Sequence, residues 1–85
     1  MKECTYTIKD PLGIHARPAG VFVKKISEFS SQATIHRGSD SCDGKKLLAL
    51  MKMRVKQGET ISVKFEGADE ESACTAALAF LQENF

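Results

Sequence analysis

The apolar residues of this chain switch repeatedly between a spacing of two and a spacing near 3.6, and that switching limits it to a mixed fold. In residues 2–8, Cys4, Tyr6 and Ile8 point one way and Glu3, Thr5 and Thr7 the other, the mark of a half-buried strand. Asp10-Pro11-Leu12-Gly13 breaks it. A helix is predicted over about 16–28, with Ala19, Phe22, Val23 and Ile26 as its inward stripe and Lys24, Lys25 and Glu28 wet. Ala33 and Ile35 mark a second strand, Arg37-Gly38-Ser39-Asp40 a hairpin turn, and 41–43 a short third strand. A short helix covers 46–53. After a turn pivoting on Gly58, Ile61, Val63 and Phe65 alternate with Ser62, Lys64 and Glu66 in a fourth strand. Asp69 is placed to cap a last helix, whose buried side carries Cys74, Ala77, Leu78 and Leu81.

The order is therefore βαββαβα. Each strand has a single apolar face, so one side of the sheet is covered and the other is open. This predicts an α+β fold: an antiparallel four-stranded sheet with three helices packed on one face. The pattern alone leaves the strand order open. Eighty-five residues without a repeat or linker predict a single domain, 1–85, with a modest core. A net charge of +1 offers no bulk field for nucleic acid. Absence of a long apolar run predicts no membrane span and no secretory signal, hence a cytoplasmic protein. Cys4, Cys42 and Cys74 are an odd number with no CxxC pair. They are expected to be reduced, small apolar fillers, with neither a disulfide framework nor a metal site.

Chemistry concentrates in Gly13-Ile14-His15-Ala16-Arg17-Pro18-Ala19-Gly20. The helical pattern starts at once after His15, so the imidazole stands at a helix mouth. The first-turn amides there lack partners inside the helix, and Arg17 adds a full positive charge. Such a pocket suits an anion, phosphate above all. Pro18 fits, because a missing N–H in the first helical turn costs nothing. A ring nitrogen attacks phosphorus only when the imidazole is neutral, and an ordinary histidine, with a pKa of about 6.5, is mostly neutral near pH 7. On its own, His15-Ala16-Arg17 is a weak signal, since a histidine before a helix is usually a cap or a solvated surface residue.

The whole octet resembles the active-site signature of the histidine-containing phosphocarrier (HPr) family of the bacterial phosphotransferase system. Lys45-Lys46-Leu47-Leu48-Ala49-Leu50-Met51 is similar to that family's second signature, and Val55-Lys56-Gln57-Gly58 and Gly67-Ala68-Asp69-Glu70 fall in register with it. The likeness spans essentially all of the chain. It implies an open-faced sandwich with strand order 1-4-2-3. It implies further that enzyme I, charged by phosphoenolpyruvate, phosphorylates His15 on Nδ1, and that His15 passes the group to a histidine on the A component of a sugar permease. Arg17 would steady the phosphate, and the Ala16 and Arg17 amides would hold its oxygens. No cofactor, metal or general base is implied, and the protein would be a carrier, not a self-sufficient enzyme. A monomer is the expected state of such a shuttle.

The short helix is too apolar for a surface element. Leu50 and Met53 suit the core, which leaves Leu47, Leu48 and Met51 facing out unless the helix is wedged deeper than its length suggests. By the resemblance, Ala16, Gly20, Lys24, Leu47, Leu48, Met51 and Lys52 would be docking residues for donor and acceptor proteins. Arg17, Lys45, Lys46 and Arg54 would add to a basic rim that speeds encounter with acidic partners. Gly20 either lets a partner's backbone approach or is drift, since glycine inside a helix costs about 1 kcal/mol relative to alanine. Where many such proteins carry a regulatory serine, this chain has Lys46. Phosphorylation would add about −1.5 to −2 charge there, and the lysine supplies the opposite sign. Two other readings stand beside the carrier: a binding module for transcriptional or metabolic regulators, and a small acylphosphatase-like hydrolase. The hydrolase lacks a second residue placed to activate water beside His15. His36 is expected to be a strand-surface residue without a functional partner.

Overall fold

The computed structural model describes every residue from Met1 to Phe85. Seven elements follow in order: β1 (Lys2–Thr7), α1 (Ala16–Ser27), β2 (Gln32–Arg37), β3 (Asp40–Asp43), α2 (Leu47–Lys52), β4 (Thr60–Glu66) and α3 (Glu70–Asn84). The four strands form one antiparallel sheet in the order β1-β4-β2-β3. The element sequence and the strand order agree with expectation, with α2 and β1 shorter by a residue or two at their ends.

Register explains why one face is buried. Cys4 pairs with Val63 and Ile35 with both Val63 and Cys42, so side chains of like polarity line up across the strands. Cys4, Val63, Phe65, Ile35 and Ala33 lie buried under the helices, while Thr5, Thr7 and Thr60 stay exposed. Hydroxyls pair across the open side, with Thr7 Oγ1 2.8 Å from Thr60 Oγ1. Phe22 and Ile26 from α1, Leu50 from α2 and Ala77 and Leu81 from α3 close over the apolar face. Each large aliphatic or aromatic side chain removed from water there contributes about 1.5–3 kcal/mol.

Three side chains depart from their expected roles. Asp69 stands at the N-terminal boundary of α3 but makes no capping bond to it. Its carboxylate instead accepts the Ser30 and Ser31 amides, at 2.8 and 2.9 Å, and the Ser31 hydroxyl. These donors hold the carboxyl well below its ordinary value, at about 2, the hydroxyl contributing most. Leu78 is only half-buried, whereas Ala73 takes a fully buried place on α3. Cys4 and Cys74 are buried fillers as expected, but Cys42 is half-buried. Burial pushes the Cys4 thiol up to about 12, with Cys74 beside it adding to the shift.

Candidate functional site

The loop before α1 is built by Asp10 and Gly13. Asp10 Oδ1 accepts the Leu12 amide at 2.8 Å, closing a local turn in which Pro11 needs no donor of its own. The Asp10 carbonyl accepts the Gly13 amide at 2.9 Å, and the Ile14 amide reaches the Val55 carbonyl at 3.0 Å. Gly13 takes φ +67°, and a Cβ there would lie 2.3 Å from the Val55 oxygen. Only glycine lets the loop lie so flat on the segment after α2.

His15 is delivered by this loop to the N-cap position of α1. Its backbone is extended (φ −116°, ψ 167°), and its carbonyl starts the helix by accepting the Ala19 amide at 3.0 Å. The side chain makes no capping bond, so the imidazole is free to project. It is about one-third exposed (35%), neither sunk in the core nor fully solvated. Nε2 lies 3.4 Å from Asp10 Oδ2, and the ring meets Phe85 edge-on, with centroids 6.1 Å apart at 81°. Phe85 is buried, and its carbonyl oxygen accepts the Lys9 and Asp10 amides at 2.6 and 2.8 Å. The end of α3 thus braces both the loop and the ring. The Leu12 amide, and after it the His15 contact, hold the Asp10 carboxyl below the usual carboxylate range.

The Ala16 and Arg17 amides open α1 without an intrahelical acceptor. No acidic residue stands in this first turn, and Arg17 is exposed and outside every ion pair of the molecule. Two free amides and one free guanidinium therefore stand next in sequence to a projecting imidazole. That arrangement can receive an oxyanion. None of the surface concavities is lined by His15 or Arg17. The ring stands at the surface outside these concavities, about one-third exposed.

A family model described as "PTS HPr component phosphorylation site" matches residues 2–83. The chain belongs to the HPr family. It is 38% identical to the phosphocarrier protein HPr of Mycoplasma genitalium, covering 99% of this chain and 97% of that one. With HPr of Borreliella burgdorferi the identity is 42%, over 92% of this chain and 90% of the relative. A crystal structure of HPr from Thermoanaerobacter tengcongensis superposes with a TM-score of 0.92 at 37% identity, covering 98% and 93% of the two chains. The open-faced fold with order 1-4-2-3 is thus shared with solved HPr structures.

On this HPr fold the apolar residues of α2 divide as anticipated except Met51, which packs partly buried against the core. Leu50 and Met53 are buried, Leu48 is 77% exposed, Leu47 is 38% exposed and Met51 is half-buried. The helix is therefore not wedged. Gly20 faces it, since a Cβ at that position would sit 3.8 Å from Leu47 Cδ2. Ala16, Lys24 and Lys52 are exposed, and Lys46 is exposed at the N-cap of α2. Lys45 is the exception in the basic rim. Its ammonium donates to the Phe29 carbonyl at 2.8 Å and is half-buried, so it ties α1's exit to the α2 approach. Val21, 51% exposed on α1, is an apolar surface residue that helical spacing alone passed over.

Two members of the site escaped the sequence reading. Asp10 was seen only as a strand breaker, although its place two residues before Leu12, after a strand, signals a side-chain turn. Arg17 was expected beside His15 but no carboxylate was, and Asp10 is that carboxylate. Phe85 carried no local signal, because its contact spans the length of the chain.

Proposed function

We propose that this protein carries a phosphoryl group on Nδ1 of His15, taking it from enzyme I charged by phosphoenolpyruvate and giving it to a histidine on the A component of a sugar permease. One observation carries this reading: a one-third exposed imidazole stands at the mouth of α1, immediately before two amides without intrahelical acceptors and an unpaired arginine. Neutral imidazole attacks phosphorus. The Ala16 and Arg17 amides take the phosphoryl oxygens, and the Arg17 guanidinium spreads charge in a loose, metaphosphate-like transition state. Neither cofactor nor metal is needed, and turnover depends on the partners, so the chain is a carrier and not an enzyme in its own right.

Partners would dock on Ala16, Gly20, Leu47, Leu48 and Met51, with Lys24 and Lys52 at the rim. An apolar centre with a cationic margin supports brief, steered encounters with acidic surfaces. The shuttle works as one domain over residues 1–85, as a monomer in the cytoplasm. With Lys46 in place of the regulatory serine, an ATP-dependent kinase of that site has no acceptor.

Mixing the protein with enzyme I and phosphoenolpyruvate, followed by intact mass measurement, tests the reading. One acid-labile phosphoryl group should appear, and none in His15→Ala. Acetyl phosphate alone should not be turned over; steady hydrolysis would replace the carrier by an acylphosphatase-like enzyme.

A further inference from the structure

His15 has two ring nitrogens, and a carrier that uses Nδ1 must keep the proton on the other one. A neutral imidazole holds a single N–H, and the nitrogen without it is the nucleophile. The hydrogen bond made at one nitrogen therefore decides the reactivity of its neighbour. In this molecule only Nε2 is engaged, by Asp10 Oδ2 at 3.4 Å. A carboxylate can only accept, so this contact calls for a proton on Nε2 and leaves the lone pair on Nδ1.

Asp10 is held for that task from three sides. Its Oδ1 is occupied by the Leu12 amide at 2.8 Å, which turns Oδ2 toward the ring. Its own amide is fixed at 2.8 Å by the Phe85 carbonyl, and its carbonyl accepts the Gly13 amide at 2.9 Å. The Phe85 ring packs edge-on against the imidazole, with centroids 6.1 Å apart.

We infer that Asp10 is a positioning residue that selects Nδ1 of His15 as the nucleophile by holding the proton on Nε2. The inference rests on His15 being the phosphoryl acceptor and adds a residue to that reading. During transfer the Nδ1 lone pair forms the bond to phosphorus as the bond to the donor's leaving atom breaks, and that atom keeps the electron pair. No proton leaves the ring. The product ring, substituted on Nδ1 and protonated on Nε2, carries a positive charge, and Asp10 sits beside it as the counter-charge. The same contact keeps the ring a good leaving group for the return step, because the Nε2 proton is retained.

Asp10→Asn tests this sharply. The asparagine oxygen can still accept the Leu12 amide, so the turn survives. Its NH2 then faces Nε2 and donates to it, which favours the opposite tautomer with the proton on Nδ1. Nitrogen-15 NMR of the imidazole reads the tautomer directly. Wild type should show the neutral ring protonated on Nε2. Asp10→Asn should show a marked rise in the Nδ1-protonated form and take up phosphate from charged enzyme I about tenfold more slowly, with backbone amide shifts outside residues 9–16 unchanged. A wild-type ring protonated mainly on Nδ1, or a variant with the wild-type tautomer ratio and rate, overturns the role of Asp10. Failure of wild type itself to accept phosphate on His15 would instead remove the parent reading, and the mass measurement separates the two.

Discussion

A single imidazole is made useful here by what its neighbours leave undone. His15 does not cap its helix, Arg17 forms no ion pair, and the Ala16 and Arg17 amides have no acceptor within α1. Lys46 follows the same pattern on the second helix. It occupies the N-cap of α2, makes no capping bond and is exposed. A cation there is unfavourable for its own helix, where a serine or aspartate would be preferred. Tolerance of that local cost fits a charge that serves a partner. Lys46→Glu is expected to slow phosphoryl uptake from enzyme I. Exposed charge pairs are worth about 0.2–1 kcal/mol each, so the loss should be about 1.4- to fivefold and should shrink as salt is added. Rates measured across a salt series check this, and equal rates for both proteins would sink the idea.

At the level of elements, α2 is the least self-sufficient part. Its six residues are too few for an isolated helix, so burial of Leu50 holds it in place. Leu47 and Leu48 stay exposed because the inward side chains have already satisfied the core. Alpha-helix α1 is longer and tolerates Gly20, which lies against Leu47 with room to spare. A Cβ at 3.8 Å from Leu47 Cδ2 is an ordinary contact, so Gly20→Ala gains helix propensity without a clash. The variant is expected to be more stable by about 0.5–1 kcal/mol. Thermal unfolding should show a midpoint higher by several degrees; an unchanged or lower midpoint would mean that the α1–α2 packing cannot accept the methyl group.

Across the whole molecule, α3 works as a strut between two remote points. At its start Asp69 clamps Ser30 and Ser31, in the link from α1 to β2. Gly67 must come close for this, since a Cβ there would lie 2.7 Å from Ser31 Cα. At its far end Phe85 braces the His15 loop. The clamp makes stability depend on pH with a definite sign. Asp69 titrates at about 2 when folded against an ordinary value of 3.8, so its contribution is complete above about pH 4 and is lost as the pH falls toward 2. Ser31→Ala removes the hydroxyl that contributes most to that shift. Its urea midpoint should be below that of wild type at pH 7, and the gap should narrow between about pH 4 and pH 2. A gap that stays constant over that range would show that Asp69 is not the group responsible.

Much of this protein was settled by local pattern. The periods of two and 3.6 define strands and helices because the faces of an element repeat with its own geometry, whatever lies opposite. The octet around His15 likewise places an imidazole at a helix mouth, since Pro18 and the apolar stripe mark where the helix begins. What the pattern could not contain is the choice a polar group makes among partners distant in sequence. Asp69 had its own helix to cap and took the Ser30–Ser31 segment instead, because the fold brought three donors there within reach of one carboxylate. Asp10 beside His15, Phe85 against the ring and Lys45 on the Phe29 carbonyl are the same kind of decision. The strand order, too, needs the closed arrangement of all four strands. Local geometry dictates what each segment is; only tertiary packing, which sets donors and acceptors within hydrogen-bonding reach, dictates what each side chain does.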